Sequence, residues 1–277
     1  MDLFIIINSE MKPGDQLHSN ADNHDFKDGL FETMKVVNGQ IRLQDYHFER
    51  LLKGIKELNY KMPESFYQEK IRDEIIQLCR KNNCEDIARV RLSVSWKNEK
   101  LNDSSDNFQY LIECRPLDVS VNKLNEQGLV VDIFPGTRKK IDKFSNLKSS
   151  NYLPYVMADL WAKENKLDET FILNTFDRVC ESAIANVFWI KDGVVFTPPL
   201  SEGCVAGVMR RYILKNARET GFEIQEKELI LSELKDADEI FLTNAIRGIR
   251  WVHQFSDQYY NCRLTKKIHE KLVKLIL

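Results

Sequence analysis

The sequence predicts an α+β protein in two domains. Strand-like and helix-like segments are both frequent, and the helices fall in groups between runs of strands rather than alternating with them. Residues 115–125 carry Pro116 and lose all periodicity, as a linker does. The chain of 277 residues is long enough for two modest domains. The expected division is a small α/β domain over 1–118 and a larger domain over 119–277.

The elements follow in order. Residues 3–8 are strand-like, and residues 9–28 are polar, rich in Gly, Pro, Asn and Asp, and read as a loop. Residues 30–37 and 40–43 flank Asn38-Gly39, the strongest short hairpin signal. Phe48, Leu51, Leu52, Ile55 and Leu58 then follow helical spacing, with Asp45 as the expected N-cap. A second helix is expected over 65–81, with strands over 88–96 and 108–114. Beyond the linker come a strand at 129–134, a lysine-rich stretch over 138–148, and a helix with Leu153, Val156, Met157, Leu160 and Trp161 on one face. Strands are expected at 170–174 and 186–190, a hairpin at Lys191-Asp192-Gly193, and a strand at 194–197. A glycine-containing loop over 201–207 leads into a helix over 208–220, closed by Gly221. Strands near 223–226 and 239–243 precede a final helix from about Thr265, with Ile268, Leu272, Leu275 and Ile276 on its buried face.

Composition excludes several classes. A net charge of −2 argues against a nucleic-acid partner. The early apolar run at 3–7 is far too short to span a bilayer, and it lacks the cationic start and cleavage site of a signal peptide. No membrane partner is therefore expected. The six cysteines form no CxxC pair and the five histidines are scattered, so neither a metal site nor a disulfide framework is expected. Reduced thiols in a cytoplasmic protein are the default.

There is no P-loop, GxGxxG, nucleophile elbow or HExxH. What remains are charged residues at the ends of predicted elements, each with an ordinary explanation. Lys148, between a basic loop and a helix, reads as a surface lysine. Glu181 reads as an exposed turn carboxylate, and Arg50 as a solvated helix charge. The loop from Gly203 to Gly207, opening a helix, has the shape of a generic anion site.

Taken together, five stretches resemble one family. They are Asp28-Gly29-Leu30-Phe31-Glu32-Thr33; His47-Phe48-Glu49-Arg50-Leu51; Asn146-Leu147-Lys148-Ser149-Ser150-Asn151-Tyr152-Leu153; Glu181-Ser182-Ala183-Ile184-Ala185-Asn186-Val187-Phe188-Trp189; and Gly203-Cys204-Val205-Ala206-Gly207-Val208-Met209-Arg210. In order and spacing they are similar to the class IV aminotransferases, and Phe241-Leu242-Thr243-Asn244-Ala245 continues the likeness. These are the two-domain fold-type IV enzymes that use pyridoxal 5′-phosphate (PLP), a group that includes branched-chain and D-amino acid aminotransferases and 4-amino-4-deoxychorismate lyases.

The resemblance implies roles. Lys148 would hold PLP as an imine and, once displaced by the substrate amine, act as general base. Glu181 would face the pyridine nitrogen, and Arg50 the phosphate. The backbone N–H groups of Val208 and Met209 would complete the phosphate cup. Asn244 and Ala245 would add a further phosphate contact. Thr33 and Arg91 are the candidates for the substrate pocket; strand packing is the ordinary reading of Thr33, and a surface ion pair that of Arg91. The larger domain would bind the cofactor, the partner would be a small amino substrate, and the chain would form a homodimer.

Within the family, three features resemble the lyase: two residues between Lys148 and Asn151, Met209 where aminotransferases carry threonine, and Thr243-Asn244-Ala245. Arg89-Val90-Arg91-Leu92 lacks the Arg-x-His carboxylate trap of the D-amino acid enzymes. The implied reaction is release of pyruvate from 4-amino-4-deoxychorismate to give 4-aminobenzoate, a step of folate biosynthesis. The alternative is transfer of an amino group to a 2-oxo acid. Lys27-Asp28-Gly29 and Trp96-Lys97 depart from the family pattern.

Overall fold

The computed structural model describes residues 3–15, 29–96 and 108–276. The departures at Lys27-Asp28 and at Lys97 lie outside these residues. The chain divides into two compact units, Met1–Ser120 with Lys148–Asn151, and Val121–Leu147 with Tyr152–Leu277. Lys148–Asn151 therefore groups with the first unit, whereas a boundary at 118/119 counts it with the C-terminal part.

The first unit is built on an antiparallel sheet in the order β2-β1-β6-β5-β3-β4. Its strands are β1 (Phe4–Ile7), β2 (Glu10–Pro13), β3 (Leu30–Val37), β4 (Gln40–Ile41), β5 (Ile87–Trp96) and β6 (Phe108–Pro116). The segment read as a loop from residue 9 thus begins with a strand. Asn8 and Ser9 take positive φ of 48° and 72°, a two-residue hairpin turn that returns the chain along β1. Asn38 and Gly39, at φ 50° and 70°, make the hairpin expected of them. Helix α1 (Gln44–Glu57) starts one residue before Asp45. Its N-cap is Leu43 at φ 53°, with no side-chain cap, and Asp45 instead lies in the first turn, where the helix dipole favours an acid. Phe48, Leu51 and Ile55 bury against β3, whose Leu30, Met34 and Val36 face the same core by strict alternation. Helix α2 (Gln68–Lys81) begins three residues later than expected and packs on β1 and β6 through Ile71, Ile75, Leu78 and Cys79.

The second unit holds a nine-stranded mixed sheet in the order β12-β11-β10-β13-β14-β7-β8-β9, with β15 paired to β14. These are β7 (Leu129–Ile133), β8 (Glu169–Leu173), β9 (Val179–Ser182), β10 (Asn186–Lys191), β11 (Val194–Thr197), β12 (Ile224–Glu226), β13 (Glu239–Asn244), β14 (Gly248–Phe255) and β15 (Gln258–Tyr259). β9, β14 and β15 escape the sequence reading. Val131, Phe171, Val187, Trp189, Ile240, Leu242 and Val252 form its core.

Its helices are α3 (Leu153–Glu164), α4 (Val208–Asn216), α5 (Leu231–Lys235) and α6 (Arg263–Ile268). α4 stops before a separate 3₁₀ turn at Arg218–Thr220, which Gly221 closes at φ 83°. α6 continues into a π turn and a 3₁₀ turn, burying Ile268 and Leu272. α3 reverses an expectation. Leu153, Val156, Met157 and Leu160 are exposed, at 67%, 37%, 47% and 46%. The helix docks through the small residues Ala158 and Ala162, four apart, with Tyr155 and Trp161 beside them, against Phe134, Ile172 and Cys180. Among the described residues, no helix is long and apolar enough to cross a membrane.

Candidate active site

In the first unit the candidate residues gather on β3. Its core face carries Glu32, a carboxylate 1% exposed among Leu30, Met34 and Val36. A lone charge there would be costly. α1 supplies the partners: Arg50 donates through Nε at 2.7 Å and Nη2 at 2.5 Å, a bidentate fork, and His47 Nδ1 lies 2.6 Å from Oε2. His47 and Arg50 are three apart, so one face of α1 presents both. Burial pushes the Glu32 carboxyl up, but Arg50 and then His47 outweigh it and hold it at about 2. Burial is also the largest influence on His47 and takes it below the usual range despite Glu32, with Arg50 and Lys148 adding to the fall. Arg50 is thus no solvated helix charge.

The other face of β3 carries Phe31 and Thr33. Lys148 reaches this strand through the backbone: its carbonyl accepts from Phe31 N–H at 2.9 Å, Ser149 bridges Leu30, and Ser150 N–H donates to Gly29 O at 2.8 Å. A Cβ on Gly29 would overlap the Val94 carbonyl, so only glycine fits where this segment crosses. Lys148 Nζ stands 4.5 Å from the Phe31 ring centroid, and the Arg91 guanidinium 3.8 Å from the same centroid. Arg91 also donates to Ser93 Oγ at 3.1 Å and faces Thr33 directly across the β3–β5 ladder. Of the sequence candidates, Thr33, Arg50, Arg91 and Lys148 therefore share one strand neighbourhood. Glu32, His47 and Phe31 join them; each lies in a quoted stretch, but nothing in the sequence singled it out.

In the second unit, Glu181 is on β9 and 3% exposed, not in an exposed turn. Lys139 forms an ion pair with Oε1, Tyr155 donates its hydroxyl to Oε1 at 2.7 Å, and Val205 N–H donates to Oε2 at 2.9 Å. Lys139 is held beside the end of β8 by a backbone bridge to Asn174. Burial, and then the nearby Glu181 charge, push the Tyr155 phenol well above its usual range, so it stays protonated and donates. Lys139 and Tyr155 escaped the sequence reading because partners 42 and 26 residues from Glu181 carry no local signal.

Val208 and Met209 open α4 and are buried. The turn before them is fixed from several sides. Ala206 N–H donates to Asn146 O at 3.0 Å, Asn146 Nδ2 to Cys204 O at 2.7 Å, and Asn186 Nδ2 to Val205 O at 2.9 Å. The N-cap is Gly207, where a Cβ would overlap Asn186 Oδ1. The first-turn N–H groups have no acceptor within their own helix and carry partial positive charge. Thr243, opposite Asn186 in the β10–β13 ladder, has a buried Oγ1 without a hydrogen-bond partner. Asn244 spends its Oδ1 on Ile246 N–H at 3.1 Å and Arg247 N–H at 2.8 Å, so its side chain shapes the turn after β13. A glycine-opened helix start beside an unsatisfied hydroxyl suits a phosphate ester.

Lys148 lies in the first unit, and Glu181 and the turn before α4 lie in the second. The chain belongs to the amino-transferase class IV family, whose model matches residues 29–255. It is 30% identical over 252 residues to a Methanocaldococcus jannaschii protein named "putative branched-chain-amino-acid aminotransferase", covering 89% of this chain and 86% of that one. It is 31% identical over 225 residues to the aminodeoxychorismate lyase of Bacillus subtilis, covering 80% of this chain and 75% of the relative. The fold is that of the Escherichia coli branched-chain amino acid aminotransferase, with a TM-score of 0.87, 23% identity, and coverage of 100% of this chain and 95% of the other. The expected family, α+β fold and PLP cofactor are thereby met.

Glu32 has a testable pH signature. Its folded pKa lies below the usual glutamate value of about 4.3, so its contribution is full above that value and lost as pH falls toward about 2. Glu32→Gln should cost about 3 kcal/mol at neutral pH, because Arg50 loses its buried partner. The gap between wild type and variant should narrow in denaturant titrations run from about pH 4.5 downward; a gap constant across that range would remove Glu32 from the acid sensitivity.

Proposed function

We propose that this chain is a lyase that releases pyruvate from 4-amino-4-deoxychorismate and leaves 4-aminobenzoate. The observation that carries the reading is the shared ring of Phe31. It holds Lys148, an amine able to move protons, and Arg91, a guanidinium able to bind a substrate carboxylate, against one side chain. Thr33, opposite Arg91, is proposed as the second substrate contact. The lyase is favoured by Met209 at the start of α4, which offers only its backbone N–H, by the short spacing from Lys148 to Asn151, and by the sequence Thr243-Asn244-Ala245. The similarity to the Bacillus subtilis lyase supports the same choice.

In this reading Lys148 holds the cofactor covalently. Arg50, the N–H groups of Val208 and Met209, and the backbone of Asn244 and Ala245 bind its phosphate. Glu181, oriented by Lys139, Tyr155 and Val205 N–H, meets its ring nitrogen. Bound PLP supplies an electron sink. With PLP bound, the Lys148 amine would take the proton from the substrate carbon that bears the nitrogen. The same Nζ returns a proton to the departing enol of pyruvate. Glu32 keeps Arg50 aimed throughout, since its fork fixes the guanidinium plane.

The second reading is a class IV aminotransferase, favoured by the similarity to the Methanocaldococcus jannaschii protein. There Lys148 would move the proton from the substrate carbon to a carbon of the cofactor, and a 2-oxo acid would complete the cycle. One assay separates the two. Incubated with 4-amino-4-deoxychorismate and no 2-oxo acid, the PLP-loaded chain should release pyruvate over many turnovers. No pyruvate release, together with amino transfer to an added 2-oxo acid, would favour the transaminase.

We further propose a two-fold homodimer, in which the exposed apolar face of α3 (Leu153, Val156, Met157, Leu160) is covered by a second copy. Sedimentation of the PLP-loaded protein should give twice the chain mass. Met157→Glu should shift it toward monomer; a fully active monomer at assay concentration contradicts the assembly.

A further inference from the structure

The first unit gathers three cysteines that the reaction above does not use. Cys79, Cys84 and Cys114 are all buried, and their sulfurs lie within 4.8 Å of one another, with Cys84 and Cys114 Sγ 3.6 Å apart. Spacing in the sequence conceals this, because the cluster arises from a helix ending and a distant strand. α2 ends at Lys81 with Asn82 as its C-cap, and Asn83 follows at φ 51°, a left-handed residue. Cys84 N–H then bonds back to Cys79 O at 2.9 Å, and Asn83 N–H to Arg80 O at 3.0 Å. This is the Schellman ending, which brings the residue two past the cap onto the third-last residue of the helix. Here those two residues are Cys84 and Cys79. β6 adds Cys114 from the sheet on which α2 packs.

We propose that Cys79, Cys84 and Cys114 form a binding site for one soft, thiophilic metal ion, held by three thiolates. Thiolates select soft or borderline ions. Zinc–sulfur bonds of about 2.3 Å set tetrahedral sulfur–sulfur spacings of about 3.8 Å, close to the separation of Cys84 and Cys114. The C-terminal end of α2, where Cys79 and Cys84 sit, carries partial negative charge and favours a cation. Support around the sulfurs is already in place. Asn82 Nδ2 donates to Cys114 Sγ at 3.1 Å, and the same side chain is fixed by Phe4, accepting its N–H and donating to its carbonyl, both at 2.8 Å. Such outer contacts orient metal ligands. Access needs little movement, since Asn83, Glu85 and Asp86 beside Cys84 are exposed. On binding, three sulfur–metal bonds form as three thiol protons pass to solvent, with no change of oxidation state. All six cysteines are free, so no disulfide competes for these sulfurs.

Two small buried cysteines can also meet as plain packing, and the test is built to tell the difference. Reduced, PLP-loaded full-length protein is titrated with cadmium chloride without oxygen. The readouts are the ultraviolet sulfur-to-cadmium charge-transfer band and the metal content after desalting. The site predicts saturation at one cadmium per chain, and the same saturation in a variant with Cys180, Cys204 and Cys262 replaced by alanine. It predicts affinity at least about tenfold weaker in Cys114→Ser. Absence of saturable uptake by the unsubstituted protein overturns the site whatever the variants do. So does a band that survives Cys114→Ser unchanged, or one that disappears from a folded Cys180, Cys204 and Cys262 variant.

Discussion

A carboxylate on the core face of β3 can remain there only because α1 brings two partners to it. Glu32 would otherwise be an uncompensated charge between Leu30 and Met34. Its pairing with Arg50 and His47 fixes the angle at which α1 meets the strand and holds the guanidinium in one plane. The opposite face of the same strand then receives Lys148 through backbone hydrogen bonds that do not depend on side-chain choice. One strand thus links the group assigned to the phosphate with the group assigned to the proton.

The second unit solves a similar problem with different parts. Glu181 is buried on β9 and satisfied by a cation, a phenol and a backbone N–H. The Val205 N–H belongs to the turn that opens α4, so the carboxylate and the anion-binding turn are positioned together. Asn186 ties the same turn to β10 and leaves no room for a side chain at Gly207. Substitutions at Asn186 therefore act on both features, although its strand position alone suggests only packing.

Most strands and helices were legible because their residues alternate or repeat locally. Leu30, Met34 and Val36 recur at even spacing, and Asn38-Gly39 takes the left-handed conformation of a hairpin turn. β14 was not legible. Its segment mixes Arg250, His253 and Gln254 with apolar residues, and its pairing with β7 and β13 is set by the whole sheet. α3 misled for the opposite reason. Its apolar face is plain in the sequence, but docking uses alanines, which leave the large residues outside. In the site, Lys148, Glu181 and Arg50 were reached through motif likeness. Lys139, Tyr155 and the Glu32 pairing depend on contacts across strands, which no single stretch encodes, and the cysteine cluster depends on a helix ending that one left-handed asparagine creates.

The account assigns the cofactor's covalent link to a lysine that is only partly buried, next to Phe31 and Arg91. Three other lysines in the preceding stretch, Lys139, Lys140 and Lys143, have the same chemistry; Lys139 is paired with Glu181, and Lys143 lies over Phe144. Reduction of the PLP-loaded protein with borohydride, followed by proteolysis and mass mapping of the phosphopyridoxyl group, decides among them. The label is expected on Lys148, and it should vanish in Lys148→Ala while the fold is kept. A label on Lys139, Lys140 or Lys143, or one that persists in Lys148→Ala, would contradict the account.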